Sequence, residues 1–112
     1  ATDPLYFTKA PIYAIEKLTE SLNFDIDKID LFEINEAFSC VVMAAIDELK
    51  IDSNKVNVNG GAVSMGHPIG ASGARILVSL LNALKLRKLK YGIATLCIGG
   101  GEASAVLVEM CS

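Results

Sequence analysis

Cys97 is followed by three glycines in Cys97-Ile98-Gly99-Gly100-Gly101, and the chain's single histidine lies thirty residues earlier in Gly66-His67-Pro68-Ile69-Gly70. A thiolate can act as nucleophile or base. Glycines beside it let a ligand approach the main chain and leave N–H groups free to face it. Such N–H groups stabilise an oxyanion. Histidine titrates near neutral pH, so an imidazole on a second glycine-bearing turn can take or give a proton. A third segment, Asn35-Glu36-Ala37-Phe38, precedes an apolar run. Its asparagine amide can fix a water or a substrate oxygen at a helix start. Together these are the parts of acyl transfer through thiolates and oxyanions.

Each part also has a plainer reading. His67 fits a structural histidine that holds its turn, and Cys97 fits a small packed hydrophobe. Asn35 fits a helix N-cap worth about 1 kcal/mol. Cys40 and Cys111 are expected to be buried as small hydrophobes. Gly66-x-x-x-Gly70-x-x-Gly73 lacks the Lys-Ser/Thr of a phosphate loop and the glycine order of a dinucleotide fingerprint. Its small residues suit close backbone packing, or a helix N-terminus facing negative charge. Lys85, Arg87, Lys88 and Lys90 read as a solvated helix end that complements the dipole.

The elements that must position these groups follow from the apolar pattern. Pro11 suits the first turn of a helix whose inner face is Ile12, Ile15, Leu18 and Leu22. Leu31 to Ile34 is a short buried strand. Ala37 to Lys50 predicts a second helix, apolar nearly all round for ten residues and therefore buried. Val56 and Val58 alternate with Asn57 and Asn59, which predicts a strand running into Gly60-Gly61. A third helix spans about Gly70 to Leu86, with a polar stripe of Arg75, Ser79 and Asn82, and is expected at the centre of the protein. Tyr91 to Ile98 and Ala103 to Met110 predict a hairpin with its tip beside Cys97. The class is α/β.

Composition narrows the function classes. The 112 residues are 52% hydrophobic and 21% charged, with a mean hydropathy of +0.44. So much apolar surface on so short a chain predicts that another domain or subunit covers part of it. A chain beginning at Ala1 is expected to be a fragment. The net charge of −3 gives no nucleic-acid footprint, and no apolar run is long enough to span a bilayer. Three cysteines without C-x-x-C spacing argue against a disulfide framework or a zinc site and fit a reducing, non-secretory compartment.

Asn35-Glu36-Ala37-Phe38, the run from Asn59-Gly60-Gly61 through Gly66-His67-Pro68 to Gly73-Ala74-Arg75, and Cys97-Ile98-Gly99-Gly100-Gly101 together resemble the thiolase family. The resemblance is to its C-terminal domain and covers essentially the whole chain, nearest to the short-chain acetyl-CoA acetyltransferases. It implies a mixed β-sheet flanked by helices, the C-terminal half of a five-layered αβαβα arrangement. It implies Claisen condensation of acetyl-CoA to acetoacetyl-CoA and the reverse thiolysis. The alternatives are a degradative 3-ketoacyl-CoA thiolase and a non-catalytic CoA-binding or assembly module.

By the same resemblance, His67 activates a nucleophilic cysteine and, with a water held by Asn35, stabilises the enolate oxygen of the thioester. Cys97 is the acid/base at the acetyl methyl carbon, and the Gly99 N–H belongs to a second oxyanion hole. Ala37 and Phe38 line the pantetheine channel. The Val63 carbonyl is a candidate potassium ligand; no other cofactor is implied, coenzyme A and acyl-CoA being substrates. The family's nucleophile belongs to an N-terminal domain that nothing in this chain matches, so the chain alone is expected to be inactive. The full-length protein is expected to be a homodimer or homotetramer in the cytoplasm or mitochondrion, without nucleic-acid or membrane partners. Most of the domain's first strand is expected to lie before Ala1. Glu102 departs from the neutral residue common after the glycines and is expected to face solvent.

Overall fold

The structure, a computed structural model, describes residues 1–111. Two structured layers cover the faces of a three-stranded mixed sheet in the order β1-β2-β3. The strands are β1 (Leu31–Ile34), β2 (Tyr91–Ile98) and β3 (Glu102–Glu109). β1 runs parallel to β2, with Leu31 opposite Gly92 and Ile34 opposite Thr95. β2 and β3 form the expected antiparallel hairpin, closed by the glycine run. Asp30 sets the register at the start of the sheet, its carboxylate accepting from the Lys90 and Tyr91 N–H groups at 2.9 and 2.8 Å.

Helix α1 (Ala10–Ser21) follows a 3-10 segment, Pro4–Lys9, and carries Pro11 in its first turn. Ile12 and Ile15 point into the sheet with Phe32, Ile34 and Ile93. Helix α2 (Ser39–Leu49) joins this layer through Val41 and Ala45. The opposite face is covered by α4 (Ser72–Arg87), preceded by a four-residue turn of helix, α3 (Ala62–Met65). Ile76, Leu80 and Leu84 of α4 meet Leu31 and Ala94. The helix comes this close because Gly92 has no side chain. A Cβ there would lie 2.8 Å from a methyl of Leu80 and 2.9 Å from one of Leu84.

Three expectations need correction. α2 is not buried all round: Cys40 is exposed and Met43 is 67% exposed, because the chain covers only one side of it. α4 also turns a stripe of Ala74, Val78 and Leu81 outward, apolar surface of the kind expected to be covered from outside this chain. Cys111 is exposed too, and of the three cysteines only Cys97 is buried. Finally, Val56 to Val58 forms isolated bridges, not a strand. Asn57 takes the left-handed conformation at φ 47°, and its side-chain amide does the pairing instead, accepting from Ile34 N–H and donating to Ile34 C=O, both at 2.8 Å.

Leu80 is fully buried between α4 and the sheet. Leu80→Ala is expected to lower the unfolding free energy by about 2–5 kcal/mol, measured by denaturant titration, since the tight seat over Gly92 leaves little room to collapse.

Candidate active site

Asn35 follows β1, and Cys97 lies one residue before the end of β2. Because the two strands are parallel and Ile34 sits opposite Thr95, both residues arrive at the same carboxyl edge of the sheet. The Asn35 N–H continues the ladder to the Thr95 carbonyl at 3.0 Å. His67 reaches this edge on the loop between α3 and α4. Gly66 turns the chain at φ 91°, and the Ala71 and Ser72 N–H groups then bond to the Pro68 carbonyl at 2.8 and 2.9 Å.

His67, Cys97 and Gly99 line one cavity of about 390 Å³. Ala37 and Phe38 line it as well. Phe7, Ile69, Leu96 and Ile98 complete its apolar wall, and sequence reasoning assigned none of them to the site. Phe7 packs edge-on against Phe38, with ring centroids 6.3 Å apart. Among the described residues the Gly99 N–H donates to no backbone carbonyl, so it is free to face a ligand. Glu102 is exposed, as expected, and its carboxylate folds over Gly100.

Asn35 does not line the cavity. It is 1% exposed and touches the site through His67, its Nδ2 lying 3.4 Å from His67 Nε2. It is not a helix cap: the residue before α2 is Phe38, and no side chain bonds to the first turn. The other ring nitrogen, His67 Nδ1, is 2.5 Å from Ser72 Oγ, which in turn bonds to the Pro68 carbonyl at 3.1 Å. Ser72 is fully buried. Its position five residues after His67, in the first turn of a helix, is the sequence signal that would have found it.

Glu36 braces the loop that carries His67. Its carboxylate accepts from the Val63 N–H at 2.8 Å, near the start of α3. Gly61 makes room for it, since a Cβ there would lie 2.6 Å from the carboxylate carbon. Val63 is itself 72% exposed.

Electrostatics distinguish two groups. Burial raises the pKa of the Cys97 thiol, its own backbone N–H offsets part of that rise, and the Cys40 thiol adds to it. Cys97 therefore rests protonated and is a stronger base once ionised. Glu33, 2% exposed on the α4 side of β1, is pushed up to about 7 by burial, against the pull of the Arg75 guanidinium and with a push from Glu36.

The family model described as Thiolase, C-terminal domain matches residues 1–110. This chain belongs to the thiolase family, matching its C-terminal domain. It is 54% identical over 109 residues to mitochondrial acetyl-CoA acetyltransferase of Rattus norvegicus, covering 97% of this chain and 25% of that protein. It is 57% identical over 109 residues to mitochondrial acetyl-CoA acetyltransferase B of Xenopus laevis, covering 97% and 26%. A crystal structure of a thiolase from Ascaris suum in complex with coenzyme A superposes with a TM-score of 0.91 at 49% identity, covering 98% of this chain and 28% of that one. The thiolase domain thus spans about a quarter of the length of the relatives it matches. Among its described residues no helix is long and apolar enough to cross a membrane.

The raised Glu33 carboxyl gives this domain a pH-dependent stability. Its folded pKa of about 7 lies above the ordinary 4.5, so the folded state binds its proton more tightly than the unfolded chain does. That contribution is fully present below pH 4.5 and is lost as pH rises through 7. Glu33→Gln is expected to remove this dependence, gaining on the order of 2–3 kcal/mol relative to the parent as pH rises from about 4.5 to about 8, read from denaturation curves across pH.

Proposed function

We propose that this chain is the C-terminal catalytic part of a thiolase that joins two acetyl-CoA molecules into acetoacetyl-CoA and cleaves the product in reverse. The observation that carries the reading is the shared cavity. Two segments thirty residues apart in sequence bring an imidazole, and a thiol with a free backbone N–H, to one small apolar space that Ala37 and Phe38 of a third segment also line. A merely structural histidine or a merely packed cysteine has no need of that meeting. The relatives' names supply the acetyl-CoA chemistry.

The steps follow from the groups present. The nucleophilic cysteine comes from an N-terminal domain outside this chain, and His67 Nε2 takes its thiol proton. The thiolate attacks the thioester carbonyl, and coenzyme A leaves as the acyl-cysteine forms. The departing coenzyme A thiolate takes up the Cys97 thiol proton, and the Cys97 thiolate so formed then removes a methyl proton from a second acetyl-CoA. Its raised basicity suits a carbon acid that is weak. The resulting enolate oxygen accepts from the protonated His67 Nε2 and from a water on Asn35. The enolate carbon attacks the acyl-cysteine carbonyl, whose oxyanion accepts from the Gly99 N–H. Collapse expels the cysteine thiolate and releases acetoacetyl-CoA. Ala37 and Phe38 face the pantetheine arm.

The outward stripe of Ala74, Val78 and Leu81 on α4 is the face the N-terminal domain covers, in a homodimer or homotetramer of full chains. The Val63 carbonyl accepts from no backbone N–H among the described residues, so it is free as one potassium ligand. The other ligands would come from outside this chain, and no step depends on the ion. The compartment is cytoplasmic or mitochondrial.

Cys97→Ala in the full-length enzyme is expected to abolish condensation while leaving acetyl transfer onto the N-terminal cysteine. Labelled acetyl-CoA measures both. Loss of loading in a folded variant that still binds coenzyme A would overturn the assignment of Cys97 as the base at the methyl carbon. A parent enzyme that binds coenzyme A but neither loads nor condenses would instead be a non-catalytic module.

A further inference from the structure

Beneath the cavity lies a polar cluster that the proposed reaction steps do not use. Arg75, in the first turn of α4, donates from Nη2 to Asn35 Oδ1 at 3.3 Å. Its Nε and Nη1 are buried without partners, as is Oε1 of Glu33. Ionic groups are seldom left this way, because removing them from water carries a large desolvation penalty. A hydrophobic pair at the same two positions would make a more stable core.

We propose that Arg75 is a positioning residue: by holding Asn35 Oδ1 it fixes the direction of the hydrogen-bond chain that keeps the His67 ring proton on Nδ1 and leaves Nε2 unprotonated. The inference rests on the catalytic reading of His67.

The chain has two ends that cannot reverse. A guanidinium has only donors, so Asn35 must turn its oxygen to Arg75 and its NH2 group to His67. His67 Nε2 must then offer its lone pair, which leaves the ring proton on Nδ1. Nδ1–H donates to Ser72 Oγ, and the Ser72 hydroxyl donates to the Pro68 carbonyl, which can only accept. Every link between Arg75 and Pro68 is thereby ordered, and the nitrogen facing Asn35 is the base. Asn35 has no other side-chain hydrogen bond among the described residues, so Arg75 is the one direct partner of its side chain that cannot reverse.

Without Arg75 the Asn35 amide is free to rotate by half a turn. Its oxygen would then face His67 and favour a proton on Nε2. Nδ1 would be bare, and the Ser72 hydroxyl would turn from Pro68 to bond to it. That ring cannot take the nucleophile's proton at Nε2. The contacts from Asn35 lie at the long end of the hydrogen-bond range, 3.4 Å to His67 and 3.3 Å to Arg75. Glu33 is buried near enough to feel the pull of the guanidinium, though no hydrogen bond or ion pair joins the two among the described residues.

The test uses the full-length enzyme carrying Arg75→Met, and Arg75→Met with Glu33→Gln. The double variant removes both charges together, so that no unpaired buried carboxylate unfolds the domain. Two quantities are measured: kcat and KM for acetyl-CoA, and the His67 tautomer from 15N spectra of histidine-labelled enzyme. The His67 signals are identified by their absence in His67→Asn. The expected result is a fall in kcat of roughly 100-fold with KM unchanged within about threefold. The same variants should show His67 shifted from the Nδ1–H to the Nε2–H form. A folded double variant that keeps the Nδ1–H form overturns the proposal whatever its rate. A His67→Asn enzyme with full activity overturns the catalytic reading itself, a separate outcome.

Discussion

The parallel pairing of β1 with β2 is the constraint on which the site depends. It aligns Ile34 with Thr95, and so delivers Asn35 and Cys97 to one edge although 62 positions separate them in the chain. A slip of one residue would turn every side chain of one strand to the opposite face. Cys97 would leave the cavity, or Glu33 would enter the layer of Ile12 and Ile15. Two devices resist that slip. Asp30 clamps two successive N–H groups at the start of β2. Gly92 and Ala94 give α4 a trough that fits only this face, because a larger residue at Gly92 would push Leu80 and Leu84 away.

His67 depends on a different kind of support. No strand carries it, and its loop could take many paths. Two anchors define the one it takes. On one side Glu36 holds the start of α3, in the space that Gly61 leaves. On the other, Ser72 is fixed in the first turn of α4, which the packing of Ile76, Leu80 and Leu84 holds in place. The imidazole is thus coupled to the core through both flanks of its loop. A loop tied at both ends loses less entropy when substrate binds, which is the advantage of preorganised donors over mobile ones.

Much of this was legible in the chain. The strand Leu31–Ile34, the hairpin and the start of α1 at Pro11 follow from apolar runs and turn residues. The meeting of residues 35, 67 and 97 was foreseen only through the family resemblance, since periodicity says nothing of which strands pair or in which direction. Asn57 shows where local pattern fails. Its alternation with valines reads as a strand, yet its own side chain substitutes for the backbone pairing that a strand would make. The helices show a second failure. An apolar helix announces that all its sides will be covered, but not by what, and α2 and α4 each keep a bare side. Glu33 was hidden for a third reason. The strand was expected to be buried, but only the seating of α4 above it shows that its one carboxylate is enclosed.

The polar cluster under the cavity then gains a physical sense. Glu33 and Arg75 occupy the α4 side of the sheet, where leucine-sized side chains would contribute about 1.5–3 kcal/mol each. Neither ionic group is fully satisfied there. Stability alone gives no account of that choice. Direction does: a neutral donor–acceptor such as a hydroxyl or amide can reverse, and so can every group bonded to it. A guanidinium cannot. Placed at the far end of a chain that runs through Asn35, His67 and Ser72 to a backbone carbonyl, it converts three reversible groups into one ordered line. In the reaction we propose, that one fixed charge readies the base of the first half.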